Sequence, residues 1–271
     1  MSLVDGNSSV QLTFGADKLG TYRGRAEYIA QEEMGRRTGF WWSPTGEHIA
    51  FTEIDERHIP VYRIVHQGKG LVGERAQEDH RYPFAGKKNA NFRLGVVSIA
   101  GEDPVWMNTS EWEYLARIAW FADGTLAAQM QNREQTKLVL ARFDIATGKR
   151  EDVLIEESDT WINLADCFFP LAGGGFMWCS ERTGFRHLYH YDRCGNFLNT
   201  ITQGTWQVDE VHGVDENRGR VYFTGTLDDP RERHLYTVSI SGGQITKLTC
   251  EPGLHNVVLN HGCQYFVDVH H

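Results

Sequence analysis

The chain has 271 residues, of which 41% are hydrophobic, 12% aromatic and 23% charged, with a formal charge of −9. That length suits one large all-β domain or two ordinary ones, and the composition is that of a chain with a real core rather than a disordered one. The acidic balance, with no concentrated basic patch, excludes a nucleic-acid footprint. No apolar run approaches the roughly 18–20 residues that cross a bilayer as a helix.

In chain order, Val10–Gly15 reads as a strand leading into a turn, and its Leu12-Thr13 returns as Ile201-Thr202 and Leu248-Thr249. Four units follow, each read as strand, tight turn, strand, looser turn, strand, second tight turn, strand. The first turns fall at Pro44-Thr45-Gly46, Ala122-Asp123-Gly124, Gly173-Gly174-Gly175 and Asn217-Arg218-Gly219. Half-buried apolar strands come next, at 49–52, 126–130, 176–179 and 221–224. The third strands are expected at 61–64, 138–143, 187–191 and 234–238. The second-turn glycines, Gly101, Gly148, Gly195 and Gly243, recur at a near-constant interval of roughly 47 residues. Hairpin loops demand positive φ, which glycine adopts without steric cost. In the first unit the two turns, at Gly46 and Gly101, stand more than twice as far apart as in the other three. The excess, between His66 and Phe92, reads as an excursion from the sheet. Residues 255–259 and 264–269 are two further strands at the end.

Four strands per roughly 47 residues is the arithmetic of a β-propeller blade. The expected fold is all-β: a partial β-propeller with about four complete four-stranded blades, roughly 38–108, 114–154, 161–204 and 208–253, and partial blades at 10–37 and 255–271. Such ends leave open strand edges, which pair with each other or join two copies into a homodimer.

Residues 28–53 carry a family resemblance. Tyr28-Ile29-Ala30-Gln31-Glu32-Glu33-Met34, then Phe40-Trp41-Trp42-Ser43-Pro44 and Ile49-Ala50-Phe51-Thr52-Glu53, resemble the propeller of the dipeptidyl peptidase IV family, most of all its bacterial, plant and cytosolic-animal branches. The likeness continues at Tyr82-Pro83-Phe84-Ala85-Gly86, Trp161–Asp166 and Ser180–Tyr189. It implies a propeller that caps an α/β-hydrolase domain, with Glu32 and Glu33 binding the free amino terminus of a peptide. The chemistry agrees: two adjacent carboxylates repel each other until a cation such as an ammonium, with three donors, joins them. Neighbouring side chains on a strand face opposite ways, so the pair converges only if 31–37 leaves the sheet as a turn or short helix. On spacing alone they also read as surface carboxylates paired with Arg36 and Arg37. The family's substrate-binding arginine on an earlier blade has no counterpart here, and Asn163 falls where animal members of the family place another arginine.

No Gly-x-Ser-x-Gly nucleophile elbow occurs, so the expectation is a non-catalytic piece whose hydrolase domain lies after His271. No cofactor or metal is expected. Among the twelve histidines, His187 and His190 point to opposite faces of a strand, and His255 and His261 straddle a turn. Arg186 and His187 are read as orienting a turn through Glu181, and Trp41, Trp42, Trp120 and Trp178 as core. Five cysteines without a CxxC pair read as core thiols, with one disulfide left open. No signal peptide is visible, Met1-Ser2-Leu3 reads as an expression leader, and His270-His271 is either native or a tag stub. The compartment stays open between cytoplasm and periplasm. Two functions compete: substrate recognition and gating in a dipeptidyl aminopeptidase that releases X-Pro or X-Ala from peptide amino termini, or a non-enzymatic propeller that binds protein partners.

Overall fold

The computed structural model describes every residue except 1, 6, 7, 17, 18, 69, 71, 72, 165 and 167. The described chain is a series of antiparallel sheets, and it divides into two compact units, Met1–Trp120 with Gly124–Ile162, and Phe121–Asp123 with Asn163–His271. It is an all-β, partial propeller.

In the first unit, Ser2–Asp5 pairs with Ser8–Gln11 as a hairpin. The first sheet places Thr21–Arg23 and Phe40–Trp42 beside His48–Asp55, followed by Asn91–Ser98 and Val105–Trp106. The second runs Tyr114–Trp120, Leu126–Gln131, Lys137–Phe143, Arg150–Glu157. Ala50, Leu94 and Val96 of the first sheet pack with Leu115, Leu126, Met130, Val139 and Phe143 of the second. Leu12 closes the other face of the first sheet against Ile49, Phe51 and Val97. Facing apolar rows of this kind are what hold neighbouring sheets together.

In the second unit, Phe169–Pro170, Phe176–Ser180, His187–Tyr191 and Phe197–Thr200 form one sheet. Val208–Asp215, Arg220–Gly225, His234–Ser239 and Thr246–Lys247 form the next. Their shared core contains Met177, Leu188, Ile201, Trp206, Val221, Phe223 and Tyr236. A hairpin of His255–Leu259 and Phe266–His270 completes the unit.

The regular spacing of the turns has a packing cause. At least one glycine in each repeat turn adopts positive φ, as at Gly124 (81°) and Gly195 (82°), and in the Gly173-Gly174-Gly175 turn it is Gly174 (84°). Gly148 is doubly constrained: its φ is 74°, and a Cβ there would meet the Trp106 carbonyl oxygen at 2.1 Å. The second turn of the second sheet lies directly on the last strand of the first, with Asn108 N donating to Gly148 O at 3.0 Å. The recurring threonine has an equally local role. Thr202 Oγ1 accepts from Leu188 N and bonds His187 Nδ1 at 3.1 Å, and Thr249 Oγ1 does the same for Leu235 N and His234 Nδ1.

Three expectations are corrected. The third strand of the first sheet is Asn91–Ser98, not 61–64. Val61–Val65 pairs instead with Gln77–Arg81 in a hairpin of its own, all five of its residues exposed, so the excursion begins before His66. Trp42 is exposed, because Phe40–Trp42 alternates and only Trp41 faces the core. Of the cysteines read as core thiols, Cys194 and Cys250 are exposed and only Cys263 of the described free thiols is buried, while Cys179 is disulfide-bonded, the bridge that the sequence left open; Cys167 lies outside the described residues.

Candidate functional site

Between Arg23 and Phe40 the chain leaves the first sheet and returns to it. The two ends of this excursion are tied by an isolated bridge between Arg25 and Thr38. Thr52 clamps the same ends, with its hydroxyl donating to Arg25 O at 2.8 Å and its amide to Gly39 O at 2.9 Å.

Inside the excursion lies a five-residue helix, Tyr28–Glu32. It is short because capping rather than propensity sustains it. Buried Glu27 is its N-cap, accepting from the amides of Ile29 and Ala30. Burial raises the Glu27 carboxyl above its ordinary value, against the opposing pull of those amides and of Arg36. Gln31 Nε2 reaches back to Ala26 O at 2.8 Å. At the other end Glu33 is the C-cap, Gly35 turns the chain at φ 63°, and Arg36 N donates to Ala30 O at 2.8 Å.

The segment is then stapled to the second sheet. The ladder there shifts register between Leu115 and Arg117, and such a bulge re-aims backbone and side chains. Leu115 O accepts from Arg36 Nε at 3.2 Å and Nη2 at 3.0 Å, while Arg117 Nη1 donates to Met34 O at 2.7 Å. Arg36 is only 7% exposed, and burial draws its guanidinium down to about 10. It lies over the Trp41 ring at 5.8 Å.

This fixes where Glu32 and Glu33 stand. Both are exposed, and neither is ion-paired among the described residues. Arg36 is committed to backbone carbonyls, so the surface pairing that spacing alone allows with Arg36 does not form. The departure from the sheet that convergence requires of 31–37, as a turn or short helix, takes the form of a helix at Tyr28–Glu32 followed by a turn at Gly35. Tyr28 stands one helical turn before Glu32. Its hydroxyl is raised above its ordinary value first by its hydrogen bond with Tyr82, then by burial and by the negative charges of Tyr82, Glu32 and Glu33. Glu32 therefore lies on the side of the helix that carries Tyr28, and Glu33 follows it as the C-cap.

An aromatic wall adjoins them. Ring centroids are 5.0 Å apart for Tyr28–Tyr82, 5.0 Å for Tyr82–Phe84 and 5.9 Å for Tyr62–Phe84. Tyr62 comes from the Val61–Val65 hairpin. The hairpin thus reaches the glutamate-bearing helix through aromatic contacts that sequence reasoning did not identify; the signal was the Tyr82-Pro83-Phe84 run, noted there only for its family resemblance.

Elsewhere, Asn163 Nδ2 donates to Glu181 Oε2 at 2.8 Å and Arg186 Nη2 to Glu181 Oε1 at 3.3 Å, as expected for Arg186, whereas His187 does not use Glu181 and bonds Thr202 and the Gly204 carbonyl instead. Against the expectation of no ligand set, the donor atoms of His255, Asp268 and His270 lie within 4.8 Å of one another.

The family model for the dipeptidyl peptidase IV (DPP IV) N-terminal region matches residues 2–271. Human dipeptidyl peptidase 8 is 30% identical over 90% of this chain and 36% of its own length. Rat inactive dipeptidyl peptidase 10 is 27% identical over 87% of this chain and 32% of its own. The crystal structure of Porphyromonas gingivalis dipeptidyl peptidase 4 superimposes with a TM-score of 0.88 at 25% identity, covering 97% of this chain and 37% of that one. The chain spans about a third of the length of these relatives. With an all-β propeller fold and a match over nearly its whole length, the chain belongs to the dipeptidyl peptidase IV N-terminal-region family.

Proposed function

We propose that this chain is the substrate-recognition and gating part of a dipeptidyl aminopeptidase, a serine exopeptidase that releases X-Pro or X-Ala dipeptides from peptide amino termini. The observation that carries this reading is the pair of exposed carboxylates, without an ion-pair partner among the described residues, on a capped and stapled helix. Glu32 and Glu33 accept hydrogen bonds from the substrate ammonium, whose charge relieves their mutual repulsion. Because a charged group holds the substrate by its end, the distance from the amine to the reacting bond is fixed, and two residues fit. The Tyr28 ring, packed edge-on against Tyr82 one helical turn before Glu32, forms a wall beside the carboxylates. Acyl transfer itself needs a nucleophile elbow, which the chain does not contain; in this reading an α/β-hydrolase domain supplies it.

The test uses the full-length protein and two chromogenic Gly-Pro reporters, one with a free amine and one acetylated. The reading expects cleavage of the first alone. A charge-assisted hydrogen bond contributes about 1.5–3 kcal/mol, so Glu32→Gln or Glu33→Gln lowers kcat/KM on the free amine by roughly 10- to 150-fold. Equal cleavage of both reporters removes the amine anchor. The second reading, a non-enzymatic partner-binding propeller, is favoured by one observation: a relative of comparable similarity is named inactive. It expects neither reporter to be cleaved.

A further inference from the structure

We propose that His255, Asp268 and His270 form a binding site for a divalent transition-metal ion of the zinc type. The hairpin's register builds the site. His255 lies directly opposite His270, and Asp268 is two residues before His270 on the same strand, so all three side chains share one face. Their donor atoms lie within 4.8 Å of one another. His255 Nδ1 is 2.7 Å and His270 Nδ1 4.0 Å from Asp268 Oδ2.

Two contacts orient His255. Its Nε2 lies 2.8 Å from the Glu251 carbonyl oxygen, which can only accept, and its Nδ1 is hydrogen-bonded to Asp268 Oδ2 at 2.7 Å. The His255 side chain is 1% exposed, so the pair is shielded from water. Asp268 Oδ1 is also buried and accepts no hydrogen bond among the described residues. The bond to Nδ1 leaves Oδ1 and His270 unused. A metal ion uses all three residues.

Two imidazoles and a carboxylate suit zinc, which binds nitrogen and oxygen at about 2.0–2.2 Å and holds tetrahedral donors roughly 3.3–3.5 Å apart. To reach that spacing the His255–Asp268 contact must open and the His270–Asp268 one close, and His270, stacked on the His255 ring at 5.2 Å with its side chain 46% exposed, has solvent on its outer side into which to turn. The Nε2–H bond to a backbone carbonyl is the outer contact that orients metal-bound histidines. His234, 4.8 Å from His255 ring to ring, is engaged with Glu232 and Thr249 and stays outside the set. Three protein ligands with one exposed member leave a fourth position for solvent.

The experiment uses the untagged 271-residue chain, stripped with a chelator. Zinc chloride is titrated by calorimetry, and cobalt(II) by its visible absorption, which intensifies when the ion becomes four-coordinate. One ion per chain with micromolar or tighter affinity is expected, weakened at least tenfold by His270→Ala and by Asp268→Asn, with His271→Ala unchanged. Far-UV circular dichroism confirms that the variants fold, and His270→Ala changes an exposed side chain, so folding does not obscure the result. Absence of zinc binding below about 100 μM overturns the proposal, as does binding that His270→Ala leaves intact.

Discussion

The glutamate-bearing helix depends on one buried cap, and Glu27→Ala tests that dependence. Glu27 accepts from two helix amides and lies in the field of Arg36, which is itself buried. Loss of an N-cap costs about 0.5–2 kcal/mol. Withdrawing the negative charge also leaves the Arg36 cation less compensated, at a further cost on the order of 1–2 kcal/mol, well under the roughly 3–5 kcal/mol of a broken contact ion pair. The expected loss is about 1.5–4 kcal/mol. Glu27→Gln keeps an acceptor for one of the two helix amides and removes a desolvated carboxylate, but turns an NH2 donor toward the other amide, so it loses about 1 kcal/mol. Urea titration of the two variants gives the difference as a shift in midpoint at constant slope. Amide exchange across residues 28–34 locates it, because loss of the cap opens that helix first. Because burial holds the Glu27 carboxyl above its ordinary value, the native chain keeps a proton that the unfolded chain has released in that window. Stability from this group falls as pH rises through it, and Glu27→Gln removes that slope. An alanine variant within about 0.5 kcal/mol of the parent, the range of an ordinary surface substitution, would refute the reasoning. So would one no worse than the glutamine variant.

Gly148→Ala combines a left-handed backbone with a collision against the Trp106 carbonyl, and is expected to cost about 3 kcal/mol or more. Gly101→Ala, at φ 89° with open space around it, costs about 1–2 kcal/mol; thermal unfolding of both variants separates the two causes. His187, bonded to Thr202 and to Gly204 O, has its pKa lowered by burial. Its contribution is present above the unfolded value near 6.5 and is lost as pH falls below it, when the unfolded chain takes up the proton first. His187→Gln therefore flattens the acid limb of a stability–pH curve measured between pH 7 and 5, and an unchanged limb would contradict the assignment.

The fold was legible because its repeat is local. Each turn glycine answers a backbone requirement, and Gly148 shows why the interval holds: the turn must meet the preceding strand at a fixed place. The recurring Thr202 and Thr249 were visible as a repeat, although their bonds to His187 and His234 were not. The first unit misled for a physical reason. Val61–Val65 has the apolar, β-branched content of a core strand, yet it is solvent-exposed and pairs only within its own hairpin, and pattern alone does not distinguish the two. Glu32 and Glu33 were found by resemblance, and the need for a turn or helix there followed from strand geometry. What holds that helix was not legible, because Arg36 acts on Leu115, 79 residues away, at a bulge. The His255–Asp268–His270 cluster escaped for a similar reason: it depends on cross-strand register, which pairs residue 255 with 270.

The most direct measurement is a crystal structure of the full-length protein with a free-amine peptide product bound. The account predicts the ammonium nitrogen within about 3.2 Å of a carboxylate oxygen from each of Glu32 and Glu33, with Tyr28 alongside. A peptide bound with its amino terminus away from both glutamates, or with only one of them in contact, would contradict it.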